Sequence, residues 1–292
     1  MNHLKGIIPA LLTPFTANNR INEQALIRLI KLNLEKGVDG FYVGGSTSEA
    51  FLMSLEERKY ILDIAVQECK GKCSIIYHIG SIGTDQAIEL GQHAEHAGVD
   101  AISAVAPFYY HFSAEEIKRY YYDIVNRVHL PMIIYNFPAS SGVTFGIEDL
   151  LAFFQDRRFI GIKHTSSDFF FLERLKQRRS EILAYNGFDE MFLAGLIMGA
   201  DGGIGSTYNF MAEKFIQIRK VFEAGDVAEA RRIQADANEI IAAIVKIGVL
   251  PAEKEMLNLM GLDFGECRSP FRQVTEEERE WLQSLLKKQG FR

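Results

Sequence analysis

The chain has 292 residues, 48% of them hydrophobic and 24% charged, with a formal net charge of -6. That balance fits a globular protein with a sizeable core, built as one large domain or two smaller ones. It excludes a basic nucleic-acid surface, and no apolar run approaches the roughly 20 residues of a membrane span.

Strand-like segments fall at 6–12, 40–43, 74–79, 101–106, 132–136, 159–164, 182–186 and 202–204. Helical patterns lie between them. Residues 22–36 place Leu26, Leu29, Ile30 and Leu34 on one face. Residues 54–69 open with Ser54-Leu-Glu-Glu57 and residues 113–128 with Ser113-Ala-Glu-Glu116, both capping-box patterns. Segments 146–154, 170–179, 190–198 and 211–224 complete the series. After Gly225 the alternation stops, and 226–247, 252–260 and 275–288 all read as helices. Asp226-Val-Ala-Glu229 and Thr275-Glu-Glu-Glu278 are the start signals of two of them.

Eight strand–helix units imply right-handed crossovers and a parallel sheet closed into a (β/α)₈ TIM barrel. We assign the barrel to residues 1–224 and a C-terminal helical extension of about three helices to residues 225–292. The junctions Gly37-Val-Asp39, Gly98-Val-Asp100 and Gly199-Ala-Asp201 repeat one device, a glycine that ends a helix just before a strand. A doubly wound open sheet would carry a glycine-rich phosphate turn after its first strand. Here that strand runs into Leu12-Thr-Pro-Phe15 instead. The glycine-rich run Gly202-Gly-Ile-Gly205-Ser206 lies at strand eight, where many barrels bind phosphate.

Cys69, Cys73 and Cys267 are too few and too scattered for a disulfide framework or a zinc site, so a reducing compartment is expected. Met-Asn-His-Leu-Lys at the start lacks the apolar stretch of a signal peptide, which makes the cytoplasm the expected location. His93 and His96 read as solvated surface.

Barrel chemistry sits where strands end at their carboxyl side. Those ends read Gly44-Gly-Ser-Thr47-Ser-Glu49, Pro107-Phe-Tyr109-Tyr110, Tyr135-Asn136, Lys163-His-Thr165-Ser166, Asn186-Gly-Phe-Asp189-Glu190 and Gly205-Ser206-Thr207. Alternation in strand six puts Gly161 and Lys163 on one face and Ile160 and Ile162 on the other, against the helices. Lys163 then points into the barrel, with Tyr135 facing inward from the next strand. Burial disfavours an ammonium ion and lowers its pKa, and a neutral amine can attack a ketone to form a Schiff base. Each residue taken alone has a plainer role. Lys163 could snorkel to solvent. Tyr135, Tyr109 and Tyr110 could be core or interface aromatics. Ser46, Thr47 and Ser206 could be turn hydroxyls. Asp189 and Glu190 could be first-turn carboxylates.

Together the strand ends resemble the dihydrodipicolinate synthase / N-acetylneuraminate lyase superfamily of Schiff-base aldolases. The specific marks are Gly44-Gly-Ser-Thr-Ser-Glu49, Tyr135-Asn-Phe-Pro138, Gly161-Ile-Lys163 and Gly202-Gly-Ile-Gly-Ser206. The arginine that the synthases carry after the tyrosine segment is missing from Ala139-Ser-Ser-Gly142. Asn186-Gly-Phe-Asp-Glu190 is similar to the lyase branch. Ser48, where the family usually has glycine, and His164 depart from the family pattern.

The resemblance implies a reversible aldol cleavage of N-acetylneuraminate to pyruvate and N-acetylmannosamine, with a covalent lysine imine and neither metal nor other cofactor. It implies Lys163 as nucleophile and Tyr135 as proton shuttle, supported by Thr47 and by Tyr109 from a neighbouring subunit. Ser46 and Thr47 would hold the keto-acid carboxylate, and Thr165, Gly187, Asp189, Glu190 and Ser206 the sugar hydroxyls. It also implies a homotetramer, a dimer of dimers, with no nucleic-acid or membrane partner. The alternatives are another pyruvate-dependent aldolase of the superfamily, for a different 2-oxo sugar acid or resembling the synthases, and a sugar-acid-binding protein without catalysis.

Overall fold

The computed structural model describes residues 2–290, so Met1 of the N-terminal segment and the last two residues of the extension lie outside it. Eight parallel strands form the centre: β1 (Gly6–Pro9), β2 (Gly40–Val43), β3 (Ser74–His78), β4 (Ala101–Val105), β5 (Met132–Asn136), β6 (Phe159–His164), β7 (Leu183–Asn186) and β8 (Gly202–Gly205). They pair in chain order, and β8 pairs with β1. A parallel bridge between Ala10 and Tyr42, with the Leu11 N–H donating to the Tyr42 carbonyl at 2.9 Å, joins β1 to β2 and closes the ring. Several strands are a residue or more shorter than their apolar runs, because the chain leaves the ladder where it turns over the rim.

The outer layer is α1 (Glu23–Lys36), α2 (Leu55–Cys69), α3 (Thr84–Ala97), α4 (Ala114–Val125), a short α5 (Pro138–Ser141), α6 (Ile147–Phe153), α7 (Phe169–Arg178), α8 (Phe192–Ile197) and α9 (Tyr208–Glu223). The capping boxes at Ser54 and Ser113 form as read, each serine accepting from the N–H three residues on. Segment 190–198 is split: a 3₁₀ turn at Asp189–Met191 precedes α8. The last barrel helix starts earlier than expected, at Tyr208, and kinks at Met211.

The repeated glycine–x–aspartate junction acquires a second purpose. Gly37 and Gly98 end their helices in the left-handed conformation. The aspartate two residues on reaches sideways to a neighbouring strand. Asp39 accepts from the Ile7 N–H at 2.8 Å, Asp100 from Ile75 at 2.8 Å, and Asp201 from Ala184 at 3.0 Å. Carboxylates thus hold the N-terminal rim of the barrel together, satisfying the N–H groups where strands begin.

Inside the ring, Ile8, Tyr42, Ile76, Ile133, Tyr135, Leu183, Tyr185 and Ile204 pack as one buried cluster. Ile134 and Ile162 face the helices, as alternation requires. Ile160 is a correction, for it packs against the interior cluster instead of the helix layer. The β5–β6 register shifts between Met132 and Ile133, so a bulge inserts one residue in β6 and breaks the period of two. Lys163 lies beyond the bulge and keeps its inward direction, directly opposite Tyr135.

The extension is α10 (Val227–Ile247), α11 (Val249–Leu259) and α12 (Glu276–Gln289). Asp226 caps α10 by accepting from the Glu229 N–H at 2.9 Å. Ile240 and Ile244 of α10 and Met256 and Leu257 of α11 join the same apolar core as the barrel helices. None of the helices among the described residues is long and apolar enough to cross a membrane.

Candidate active site

A cavity of about 360 Å³ opens at the C-terminal rim of the barrel. Ser46 and Thr47 come to it from the β2 end, Tyr135 from β5, Lys163 and Thr165 from β6, Gly187, Asp189 and Glu190 from β7, and Ser206 from β8. Nine of the residues singled out by sequence are therefore gathered in one place. Tyr109 is not among them. It is 81% exposed, lies on the loop after β4 and has φ +79°.

Lys163 is 5% exposed. Its Nζ lies 4.3 Å from the centre of the Tyr42 ring and 4.2 Å from that of Tyr135. Burial among these rings brings its pKa down to about 7, against an opposing pull from the Asp189 charge. At neutral pH much of the amine is therefore unprotonated. Tyr135 is buried, and desolvation raises its phenol to about 12, opposed by the Thr165 and Ser46 hydroxyls. It remains a neutral O–H at physiological pH.

Asp189 is the buried carboxyl of the pocket. Its Oδ2 accepts from the Thr207 N–H at 2.9 Å and from the Thr207 hydroxyl at 2.6 Å. Among the described residues its Oδ1 has no hydrogen-bond partner, and the Thr165 hydroxyl has none beyond its interaction with the Tyr135 phenol. Burial raises Asp189 to about 6, with the two Thr207 bonds opposing the rise. An unpaired buried acceptor costs stability and is characteristic of functional surfaces. Two glycines permit the arrangement. A Cβ on Gly187 would lie 2.0 Å from Thr165 Oγ1, and one on Gly205 would lie 1.8 Å from Asp189 Oδ1.

The two departures from the family pattern are both accommodated. Ser48 is buried, accepts from the Gly44 N–H at 3.1 Å and donates to the Leu11 carbonyl at 2.6 Å, which pins the loop to the segment that follows β1. His164 points away from the interior. Its Nδ1 accepts from Asn136 Nδ2 at 3.0 Å, its Nε2–H donates to the Asp168 carbonyl at 3.1 Å, and its ring stacks on Phe171.

Some residues on the cavity wall or packed behind it escape the strand-end reading. His78, at the end of β3, donates from Nδ1 to the Gly44 carbonyl at 3.0 Å and accepts at Nε2 from the Val105 N–H at 3.2 Å. Burial holds it well below the usual histidine range, so it is a neutral brace beneath Tyr135 and Tyr42. A histidine closing an apolar strand was the signal available for it. Phe137, Phe188, Ile241, Ile244, Val245, Val249 and Leu250 wall the cavity. The last five belong to the extension, and nothing local in the sequence points them at the barrel. Among the described residues, His, Cys, Asp and Glu side chains form no group of three or more able to hold a metal ion.

Residues 3–289 match the dihydrodipicolinate synthetase family. The chain is 47% identical over 277 residues to an N-acetylneuraminate lyase of Rhizobium meliloti (strain 1021), covering 94% of this chain and 92% of the relative. An N-acetylneuraminate lyase from Fusobacterium nucleatum, solved in complex with pyruvate, superposes with a TM-score of 0.94 at 38% identity, over 98% of this chain and 97% of that one. CdNal from Clostridium difficile, solved in complex with mannosamine, gives a TM-score of 0.95 at 38% identity, over 98% and 99%.

Proposed function

The chain belongs to the dihydrodipicolinate synthetase family, and from that premise we propose that it is a Schiff-base aldolase that cleaves N-acetylneuraminate reversibly to pyruvate and N-acetylmannosamine. The observation that carries this reading is the Lys163 amine, buried and brought to about pKa 7, directly opposite Tyr135 in a cavity with half-paired polar walls.

The Lys163 nitrogen attacks the C2 ketone of the open-chain sugar acid. Loss of water gives a protonated imine, an electron sink of the kind a metal or carbonyl cofactor otherwise supplies. The C4 hydroxyl proton leaves, the C3–C4 bond breaks, and its electron pair flows into the imine to give a pyruvate enamine and an aldehyde sugar. Protonation of the enamine at C3 and hydrolysis of the imine release pyruvate and restore the amine. Tyr135 relays the C4 proton. Its phenol, raised to about 12, is too weak an acid to ionise first, so it takes one proton as it passes on another.

Ser46 and Thr47, on the 3₁₀ turn Ser46–Ser48, hold the keto-acid carboxylate through N–H and hydroxyl groups. Thr165, Gly187, Asp189, Glu190 and Ser206 receive the polyol. The Asp189 Oδ1, unpartnered among the described residues, suits that task, because a carboxylate is the strongest acceptor for sugar hydroxyls. We assign catalysis to residues 1–224 and closure of the cavity to residues 225–292. We also take the protein to be a cytoplasmic homotetramer, a dimer of dimers. In that assembly the exposed Tyr109 reaches a neighbouring subunit's site and, with Thr47, supports Tyr135.

Incubation with N-acetylneuraminate followed by chromatographic product analysis tests the reading. Equal amounts of pyruvate and N-acetylmannosamine are expected. Intact N-acetylneuraminate in the presence of an enzyme that still captures pyruvate would reassign the substrate to another 2-oxo sugar acid.

A further inference from the structure

The two ends of the cavity stand on different loops. The keto-acid end is the 44–49 segment after β2, and the sugar end is the 206–207 turn after β8. Two consecutive residues of α11 reach both. Glu253 is fully buried, and its Oε1 accepts from the Ser206 hydroxyl at 2.6 Å. Lys254 is 1% exposed, and its Nζ lies 2.5 Å from Glu49 Oε1, forming an ion pair sealed from solvent.

Glu49 closes the 44–49 segment in the left-handed conformation, φ 59° and ψ 35°, which a non-glycine residue adopts only when held there. Its Oε2 accepts from the Arg268 N–H at 2.7 Å. Lys254 Nζ donates to the Glu266 carbonyl at 3.1 Å and lies 4.2 Å from the centre of the Phe15 ring. The lysine is thus anchored on the extension side and holds the loop on the barrel side. Neighbouring residues on a helix project about 100° apart, so a single turn can serve two loops at once.

We propose that Glu253 and Lys254 are positioning residues through which one helix of the extension sets both ends of the site: Lys254 fixes the keto-acid cradle by way of Glu49, and Glu253 orients the Ser206 hydroxyl toward the sugar. The proposal rests on the aldolase reading above. Burial places the Glu253 carboxyl well above the usual range, and the neighbouring Asp189 charge pushes the same way.

A purely architectural role would disturb both ends of the site together. The test therefore measures two quantities for each variant: the pyruvate concentration for half-maximal borohydride-trapped adduct, and kcat and KM for cleavage of N-acetylneuraminate. Glu253→Ala is expected to raise KM for the sugar acid about tenfold, the value of one lost hydrogen bond to a buried acceptor, with pyruvate capture unchanged. Glu253→Gln keeps an oxygen to accept from Ser206 and is expected to restore KM. The double variant Glu49→Gln with Lys254→Met keeps the buried site neutral, so it folds, and it is expected to weaken pyruvate capture about tenfold or more.

Equal loss at both ends in Glu253→Ala overturns the proposal. So does a Glu253→Gln variant as impaired as Glu253→Ala, or unaltered pyruvate capture in the double variant. If the wild type captures pyruvate but leaves N-acetylneuraminate intact, it is the substrate assignment that fails. The double variant then still decides the positioning proposal through pyruvate capture alone.

Discussion

The two rims of the barrel treat buried charge in opposite ways. At the N-terminal rim every junction aspartate is paired. Asp201 accepts from the Ala184 N–H and lies 2.8 Å from Lys5 Nζ and 2.9 Å from Lys176 Nζ. Burial alone would raise its pKa, yet those partners outweigh burial and hold it below the usual carboxylate range. At the C-terminal rim burial wins. Asp189 rises to about 6, Lys163 falls to about 7, and among the described residues the Asp189 Oδ1 stays without a partner. Satisfied polar groups stabilise a fold, while unsatisfied ones at a cavity are reserved for a ligand. The same eight strands therefore serve stability at one end and reactivity at the other.

Substitutions can break this contrast. The largest effect is expected from Lys163→Ala, which should leave no turnover and no mass increase when the protein is treated with pyruvate and borohydride. A reduced adduct in that variant would move the nucleophile elsewhere. Tyr135→Phe removes the relay but not the amine. Cleavage should fall by about 100- to 10,000-fold, the usual value of a positioned proton-transfer group, while the pyruvate adduct still forms. Asp189→Ala combined with Glu190→Ala should reduce kcat/KM for the sugar acid by about 10- to 100-fold through lost charged acceptors, again sparing pyruvate capture. Loss of both activities together would remove these carboxylates from specificity.

The pH profile sharpens the comparison. Only the neutral amine reacts, so pyruvate capture should slow about tenfold for each unit of pH below the Lys163 pKa near 7 and level off above it. Asp189→Asn removes the charge that opposes the drop, so the midpoint should move to lower pH. A midpoint near the ordinary lysine value would show that the amine is not desolvated. The smallest effect belongs to the other rim. Asp201→Ala should cost about 1–3 kcal/mol in denaturant unfolding and leave kcat and KM unchanged.

The βα alternation, the helix starts at Ser54, Ser113 and Asp226, and the inward direction of Lys163 and Tyr135 were all legible along the chain. Each is a local property, set by side-chain periodicity or by a capping group within four residues. The bulge that turns Ile160 inward was not legible, because it depends on how β6 pairs with β5. Nor was the purpose of the junction aspartates, whose partners sit on neighbouring strands. The walls supplied by Ile241, Ile244 and Leu250, and the reach of Glu253 and Lys254 to Ser206 and Glu49, join residues 47 and more than 200 positions apart. Contacts of that kind exist only after the ring has closed and the extension has docked. Sequence thus determined which residues meet at the cavity of the C-terminal rim, because their types and strand-end positions are written locally. Tertiary structure alone decided how dry the amine is and which acceptors stay unpaired, because desolvation is a property of everything packed around a group.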